Sequence, residues 1–312
     1  MSNKLIECKC PCCGSDEIID KFSANNYRTK NANPASYVRC KLCGSLYVKT
    51  RSDSIDKNNN YDERYQQTYE KLIKKLRRRS HRFFACWMYG LLSGFLHIKL
   101  PCEAVEGDKL LDIGCGIGLQ AKLLNKRGIQ ITGIDNSAQA IKFAQEINDG
   151  ENFVCVDFLD FNDKTKFDFI RLDNVVEHIE ESGHFFERVS ELLNPGGKLI
   201  IFTPNADSAS LKFLRGKSVS AWPDEHLIIY SRNGLVNLLE RMGFTIVKMN
   251  RNTPAWWLAY NFLMIIGVGN KVTADAFLLK IISLFFLPIT FVLNFFNLEE
   301  EIVVEAVKGV KV

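Results

Sequence analysis

From residue 107 onward, short apolar runs alternate with stretches whose apolar positions recur at helical spacing. The pattern predicts strands at 109–113, 129–134, 153–156, 167–172 and 199–203, with helices at 119–126, 138–147 and 184–193 between them. A helix over 232–242 and strands at 245–249 and 301–307 complete the segment. Strands and helices that alternate in this way imply a parallel sheet covered on both faces, so the expected fold class is doubly wound α/β.

Three apolar stretches fall outside this alternation, at 83–98, 255–269 and 276–296. The first follows KLIKKLRRRSHR at 71–82, which carries seven Lys or Arg. The stretch 276–296 has the length of a bilayer span, about 20 residues. A lone span is excluded, however, because the strand at 301–307 has to rejoin the sheet that the chain left. A re-entrant or interface-lying hairpin remains, and Pro288 and Lys280 weaken a straight helix further. Anionic membrane surfaces attract a basic run beside aromatic-rich apolar helices. The alternative is that these helices cap a ligand site or bury one another in an oligomer. The chain thus divides into 1–50, a basic and apolar linker at 51–106, a core at 107–252, an apolar helical insertion at 253–298 and a last core strand at 299–312.

Composition changes this picture little. The 312 residues are 46% hydrophobic and 24% charged, ordinary globular values. A net charge of +4 is too weak to argue for nucleic acid as a partner. The ten cysteines are more informative, since six lie at positions 8, 10, 12, 13, 40 and 43. The opening MSNKLIECKC shows no apolar run of signal-peptide length, so the expected location is cytoplasmic, peripheral on the membrane. In a reducing compartment such clustering reads as metal binding.

Two segments share one pattern, Cys10-Pro-Cys-Cys13-Gly-Ser and Cys40-Lys-Leu-Cys43-Gly-Ser. Tetrahedral zinc takes four thiolates, and each turn supplies two, so Cys10, Cys13, Cys40 and Cys43 are the expected ligands of a structural zinc ribbon. Cys12 is an alternative to its neighbours, although the repeat favours Cys10 and Cys13.

The first core strand runs into Asp112-Ile-Gly114-Cys115-Gly116-Ile-Gly118, a glycine turn that lets a ligand approach the backbone at a helix start. Asp135 ends the next strand, 23 residues after Asp112, where a carboxylate can take both hydroxyls of a ribose. Asp157 ends the third strand, in position for an adenine edge. The third glycine comes one residue too early for a dinucleotide fingerprint. An acid two residues before the first glycine would repel a pyrophosphate, yet it suits a ligand with a cationic amine.

LLDIGCGIG at 110–118 resembles motif I of class I S-adenosylmethionine-dependent methyltransferases. The resemblance continues through GIDNS, LDNVVEHI, LLNPGGKLIIFTPN and the GF before strand six. It implies a Rossmann-like sheet whose last strand inserts antiparallel between strands five and six. It also implies S-adenosylmethionine as cofactor. Asp112, Gly114, Cys115, Gly116 and Gly118 would hold the methionine portion, Asp135 with Asn136 the ribose, Asp157 and Phe158 the adenine, and Asp173 would lie beside the sulfonium. The ribbon with this core is similar to deoxysugar C-methyltransferases, although no second large α/β domain follows.

Methyl transfer to a hydroxyl or carbon acid requires removal of a proton, and histidine suits that task at neutral pH. His178 follows strand four, and His226 lies in the Trp-Pro-Asp-Glu-His-Leu loop where related enzymes place an acceptor segment; these are the candidate bases. Glu177-His178 also resembles a metal-binding segment of some quinone-precursor and RNA-end methyltransferases. The expected acceptor is a small molecule or lipid-linked intermediate, such as a surface-glycan sugar or a quinone precursor. The rivals are a zinc-finger RNA base methyltransferase and a non-catalytic membrane-associated scaffold.

Overall fold

The computed structural model describes residues 5–24, 35–52, 104–125, 127–148, 152–268 and 277–309. The runs 71–82 and 83–98 and nearly all of the linker 51–106 lie outside them. In chain order the ribbon segment contributes β1 (Leu5–Glu7), β2 (Ile18–Ala24), β3 (Ala35–Cys40), β4 (Leu46–Val48) and β5 (Thr50–Ser52). Then come β6 (Lys109–Ile113), α1 (Leu119–Asn125), β7 (Gln130–Asp135), α2 (Ala138–Asn148), β8 (Phe153–Cys155), β9 (Phe167–Asp173), α3 (Ser182–Leu192) and β10 (Leu193–Pro204). The chain continues through α4 (Ala209–Leu214), β11 (Ile228–Ile229), α5 (Arg232–Arg241), β12 (Phe244–Asn252), α6 (Ala255–Ile265), α7 (Phe277–Phe295) and β13 (Glu301–Lys308).

The seven-stranded sheet has the order β12-β13-β10-β9-β6-β7-β8. β13 sits between β12 and β10 and runs antiparallel to β12, as the resemblance implies. By compactness the chain separates into two units. One gathers 1–57, 174–187 and 201–309, and the other 58–173, 188–200 and 310–312.

In the second unit, β6 pairs in parallel with both β7 and β9, and its register sets Asp112 beside Gly133 on one side and Arg171 on the other. Four of the five β6 residues are buried, the near-continuous apolar run of a strand covered on both faces. α2 turns Ala140, Ile141, Phe143, Ala144 and Ile147 inward, a helical stripe. Ser137 begins it by accepting from Ala140 N at 3.1 Å.

In the first unit, β2, β3 and β4 form an antiparallel meander, and β11 adds a fourth strand through Ile228↔Tyr47 and Ile229↔Leu46. Tyr37, Leu46 and Val48 from the meander share one apolar cluster with Ala206, Leu211, Ala221 and Ile229. Burying each large side chain there contributes roughly 1.5–3 kcal/mol. The expected ribbon at 1–50 therefore folds as one body with segments from the second half of the chain.

α6 and α7 meet along Ala259, Leu263 and Leu279, with Tyr260, Ile282 and Phe286 packed beside them. Their other faces are also apolar: Phe262, Ile265, Leu284, Phe285, Phe291, Phe295 and Phe296 are exposed. α7 continues through Pro288. Among the described residues no helix is long and apolar enough to cross a membrane.

Candidate functional site

The glycine turn follows β6 directly. Gly114, Gly116 and Gly118 have φ of 68°, 54° and 67°, a left-handed region that a side chain resists. A Cβ at Gly118 would lie 2.6 Å from the Asn148 amide, so the start of α1 can approach α2 only without one. Asp135 braces the turn: one carboxylate oxygen accepts from Gly116 N and the other from Ser137 N, both at 2.9 Å. Asp157 caps the turn at 158–160 by accepting from Leu159 N at 3.0 Å, and Phe158 beside it is buried. Asn136 uses its carbonyl to accept from the Cys155 thiol. Burial pushes the Cys115 thiol up, and the neighbouring Asp112 and Asp135 add to the shift, so this cysteine stays protonated.

Asp112 has a partner that its motif does not announce. Its two oxygens accept from Nε and Nη2 of Arg171, each at 2.9 Å, and its side chain is only 1% exposed. Burial works against the Arg171 charge, but Asp112 at its fork and Asp173 nearby together outweigh that cost and hold the guanidinium above its ordinary pKa. Arg171 Nη1 is buried without a hydrogen-bond partner. Asp173, two residues further along β9, is half-buried and adds a second negative charge near this pair.

The four expected cysteine ligands converge. Cys10 and Cys43 sulfurs lie 3.6 Å apart, Cys13 and Cys40 3.5 Å apart, and all four fall within 4.8 Å of one another. A tetrahedral ion with Zn–S bonds of about 2.3 Å requires sulfurs roughly 3.8 Å apart, so the donor set fits zinc. Cys12 is not one of the four, but it lies against them: its thiol donates to Gly234 O at 3.1 Å and also contacts the Cys43 thiol.

Donor atoms of Glu177, His178 and His226 also come within 4.8 Å of one another, all inside the first unit. Glu177 is fully buried and accepts from Thr203 Oγ1 at 3.0 Å. His178 Nδ1 lies 2.6 Å from Glu225 O, and His226 Nδ1 lies 2.8 Å from Ser220 O. A carbonyl oxygen can only accept, so both rings carry a proton on Nδ1. The ring centroids are 5.0 Å apart at 73°. A fixed tautomer on two neighbouring imidazoles suits proton abstraction.

A methyltransferase-domain family model matches residues 57–249, well over half of the chain. The chain belongs to the class I S-adenosylmethionine-dependent methyltransferases. It is similar to the ubiquinone biosynthesis O-methyltransferase of Nitrobacter winogradskyi, 32% identical over 156 residues, which covers 44% of this chain and 59% of that protein. The ubiquinone biosynthesis O-methyltransferase of a Bradyrhizobium species is 30% identical over 126 residues, covering 38% and 50%. The match thus reaches only half to three-fifths of these relatives' lengths. Among solved structures, Haemonchus contortus phosphoethanolamine N-methyltransferase 2 in complex with S-adenosyl-L-methionine superposes with a TM-score of 0.53 at 17% identity, covering 85% of this chain and 63% of that one. That likeness is one of fold.

Two residues of this methyltransferase escape sequence reasoning. Arg171 reads as an interruption in an apolar strand, and only the β6–β9 register reveals Asp112 as its partner. Tyr37 reads as an ordinary strand aromatic, although its hydroxyl donates to His226 O at 2.6 Å.

Proposed function

We propose that this methyltransferase acts on a hydroxyl of a small or lipid-linked acceptor, with a quinone precursor as the first candidate. The carrying observation is the pair of Nδ1-protonated histidines beside Glu177. S-adenosylmethionine supplies the methyl group and leaves as S-adenosylhomocysteine. Asp135 and Asn136 hold the ribose, Asp157 and Phe158 the adenine, and the turn of Gly114, Cys115, Gly116 and Gly118 the methionine portion. Asp112 supports that turn through Arg171, and Asp173 faces the sulfonium side. As the acceptor oxygen bonds to the methyl carbon, its proton passes to Nε2 of His226 or His178. Cys10, Cys13, Cys40 and Cys43 hold a structural zinc.

The names of the curated relatives, ubiquinone biosynthesis O-methyltransferases, support a quinone-precursor acceptor. The outward apolar faces of α6 and α7 support a greasy one that is reached from a membrane surface. In this reading the protein docks peripherally, the hairpin lying in the interface.

The test is incubation with S-adenosylmethionine and a catechol bearing a polyprenyl tail, read by mass spectrometry. We expect a product heavier by one methylene unit, methylated on oxygen. His226→Gln or His178→Gln should lower kcat by roughly 10²–10⁴ while cofactor binding stays intact. Salt-sensitive methylation of RNA, with no turnover of phenolic or lipid-linked acceptors, overturns the proposal.

A further inference from the structure

The segment that carries His226 is held from two sides. On one side, His226 O accepts from Tyr37 Oη at 2.6 Å and Leu227 O accepts from Val48 N at 3.0 Å. Ile228 and Ile229 then pair with β4 as the fourth strand of the ribbon sheet. On the other side, Leu227 N donates to Glu177 O at 2.8 Å, and Glu225 O takes the His178 Nδ1 proton. The backbone from 225 to 229 is therefore a strap between the meander and the Glu177-His178 turn. The His226 backbone belongs to the strap, and its ring is held from the preceding loop, where Nδ1 donates to Ser220 O.

The two meander strands that grip it are joined by a metal knuckle. Tyr37 and Val48 are register partners on β3 and β4, and the chain between those strands is the Cys40–Cys43 turn with Gly44 and Ser45. Cys40 ends β3, and its N–H is taken by Ser45 O at 2.9 Å. Closing this turn fixes the separation of Tyr37 from Val48, and these two present one hydroxyl and one N–H to consecutive carbonyls of the strap. Tyr37 is fully buried, so its hydroxyl has no water to turn to and its geometry is set by the sheet. Ser231 locks the far end: its N–H donates to Ser45 Oγ, and its hydroxyl donates to Cys43 O.

We propose that the four-cysteine ribbon is the positioning frame of the acceptor-side histidine: the metal-held β3–β4 hairpin, through Tyr37 and Val48, sets the backbone of 226–229 and with it the orientation of the His226 ring. Tyr37 is then a positioning residue, and the ribbon is part of the acceptor half of the enzyme rather than an appendage. The proposal rests on the reading of His226 as an acceptor-side group, but its test does not need an acceptor.

The full-length, zinc-loaded protein labelled with ¹⁵N-histidine reports the state of each ring nitrogen in long-range ¹H–¹⁵N spectra. Tyr37→Phe keeps the buried ring and removes only the hydroxyl. We expect it to convert His226 from Nδ1–H alone to a tautomer mixture, with one zinc still bound and the dissociation constant for S-adenosylmethionine within twofold of wild type. Withdrawal of zinc by a chelator should move the same resonances, and one equivalent of Zn²⁺ should restore them. His226 signals that ignore both Tyr37→Phe and zinc withdrawal overturn the proposal. A His226 response in a protein whose turnover survives His226→Gln would sink the base assignment while leaving the positioning frame standing.

Discussion

Asp112 and Arg171 form a pair whose two halves depend on each other in an apolar sheet. Removing one partner strands a buried charge, which costs about 3–5 kcal/mol. Arg171→Met should therefore lower stability by that amount in chemical denaturation. Arg171→Met combined with Asp112→Asn, which leaves no charge, should recover most of the loss. Equal loss in the single and double variants would show that the pair matters through packing alone. Asp135 makes a different contribution, bridging Gly116 N and Ser137 N. Asp135→Ala should weaken S-adenosylmethionine binding by roughly 1.5–3 kcal/mol, the scale of lost hydrogen bonds to a charged group. Calorimetric titration with an unchanged dissociation constant would refute its ribose role. The places of the acids and glycines of this half were legible because they are local, a turn and the ends of strands. Arg171 was not, because its role depends on which strand lies beside its own.

At the scale of elements, β11 shows the same limit in stronger form. Two isoleucines have no periodicity to read, yet they complete the ribbon sheet by pairing with Leu46 and Tyr47 of β4, whose first residue lies 182 positions before theirs. Most strands and helices of the core were legible because each carries a run of patterned positions; the short helix Ala209–Leu214 was not, because six residues show too little of a helical period. The start of β13 carries a further consequence. Glu300 is buried, with its carboxylate accepting from Ser210 N and Ser210 Oγ. Burial raises its pKa, and the serine hydrogen bonds only partly oppose that rise. A carboxyl with a folded pKa above its unfolded value favours the folded state while protonated. Its contribution is complete below about pH 4.5 and is lost as pH rises through the folded value. Glu300→Gln keeps the shape and removes the titration, so its midpoint of thermal unfolding should change less between pH 5 and pH 8, a range of about three units, than that of wild type. Parallel pH curves for the two proteins would show that Glu300 does not titrate there.

For the whole molecule, the outward apolar faces of α6 and α7 are the feature that ordinary solubility does not explain. Leu284, Phe285, Phe291 and Phe295 are each at least 60% exposed. If this surface meets lipid, the protein should co-sediment with anionic liposomes at low salt. Part of that binding should fall with salt as the 71–82 basic run is screened, at about 1 kcal/mol per charge, and an apolar remainder should persist. Phe285→Asp with Phe291→Asp should abolish the salt-resistant part. Protein that stays in the supernatant while light scattering reports a compact oligomer would assign the same surface to a second copy of the chain.

The pairing of Asn252 with Glu301 reaches beyond membranes. The chain leaves the sheet at one position and re-enters directly opposite it, so residues 253–300 hang from two adjacent points of a single antiparallel ladder. In topological terms the whole helical pair is an enlarged β-turn. Lengthening a flexible loop between fixed ends costs only about 0.6 kcal/mol per doubling, so what anchors this turn is its packing: Val219 N donates to Asn261 Oδ1, and Glu300 accepts from Ser210. Such a region can change only together with the 210–222 segment on which it packs. Trp257, on α6, packs against Val219 and Trp222 a few residues before His226, so an exchanged turn would arrive with its own wall for the acceptor. An exchange of this turn between two methyltransferases would therefore have to carry its partner segment at 210–222 with it.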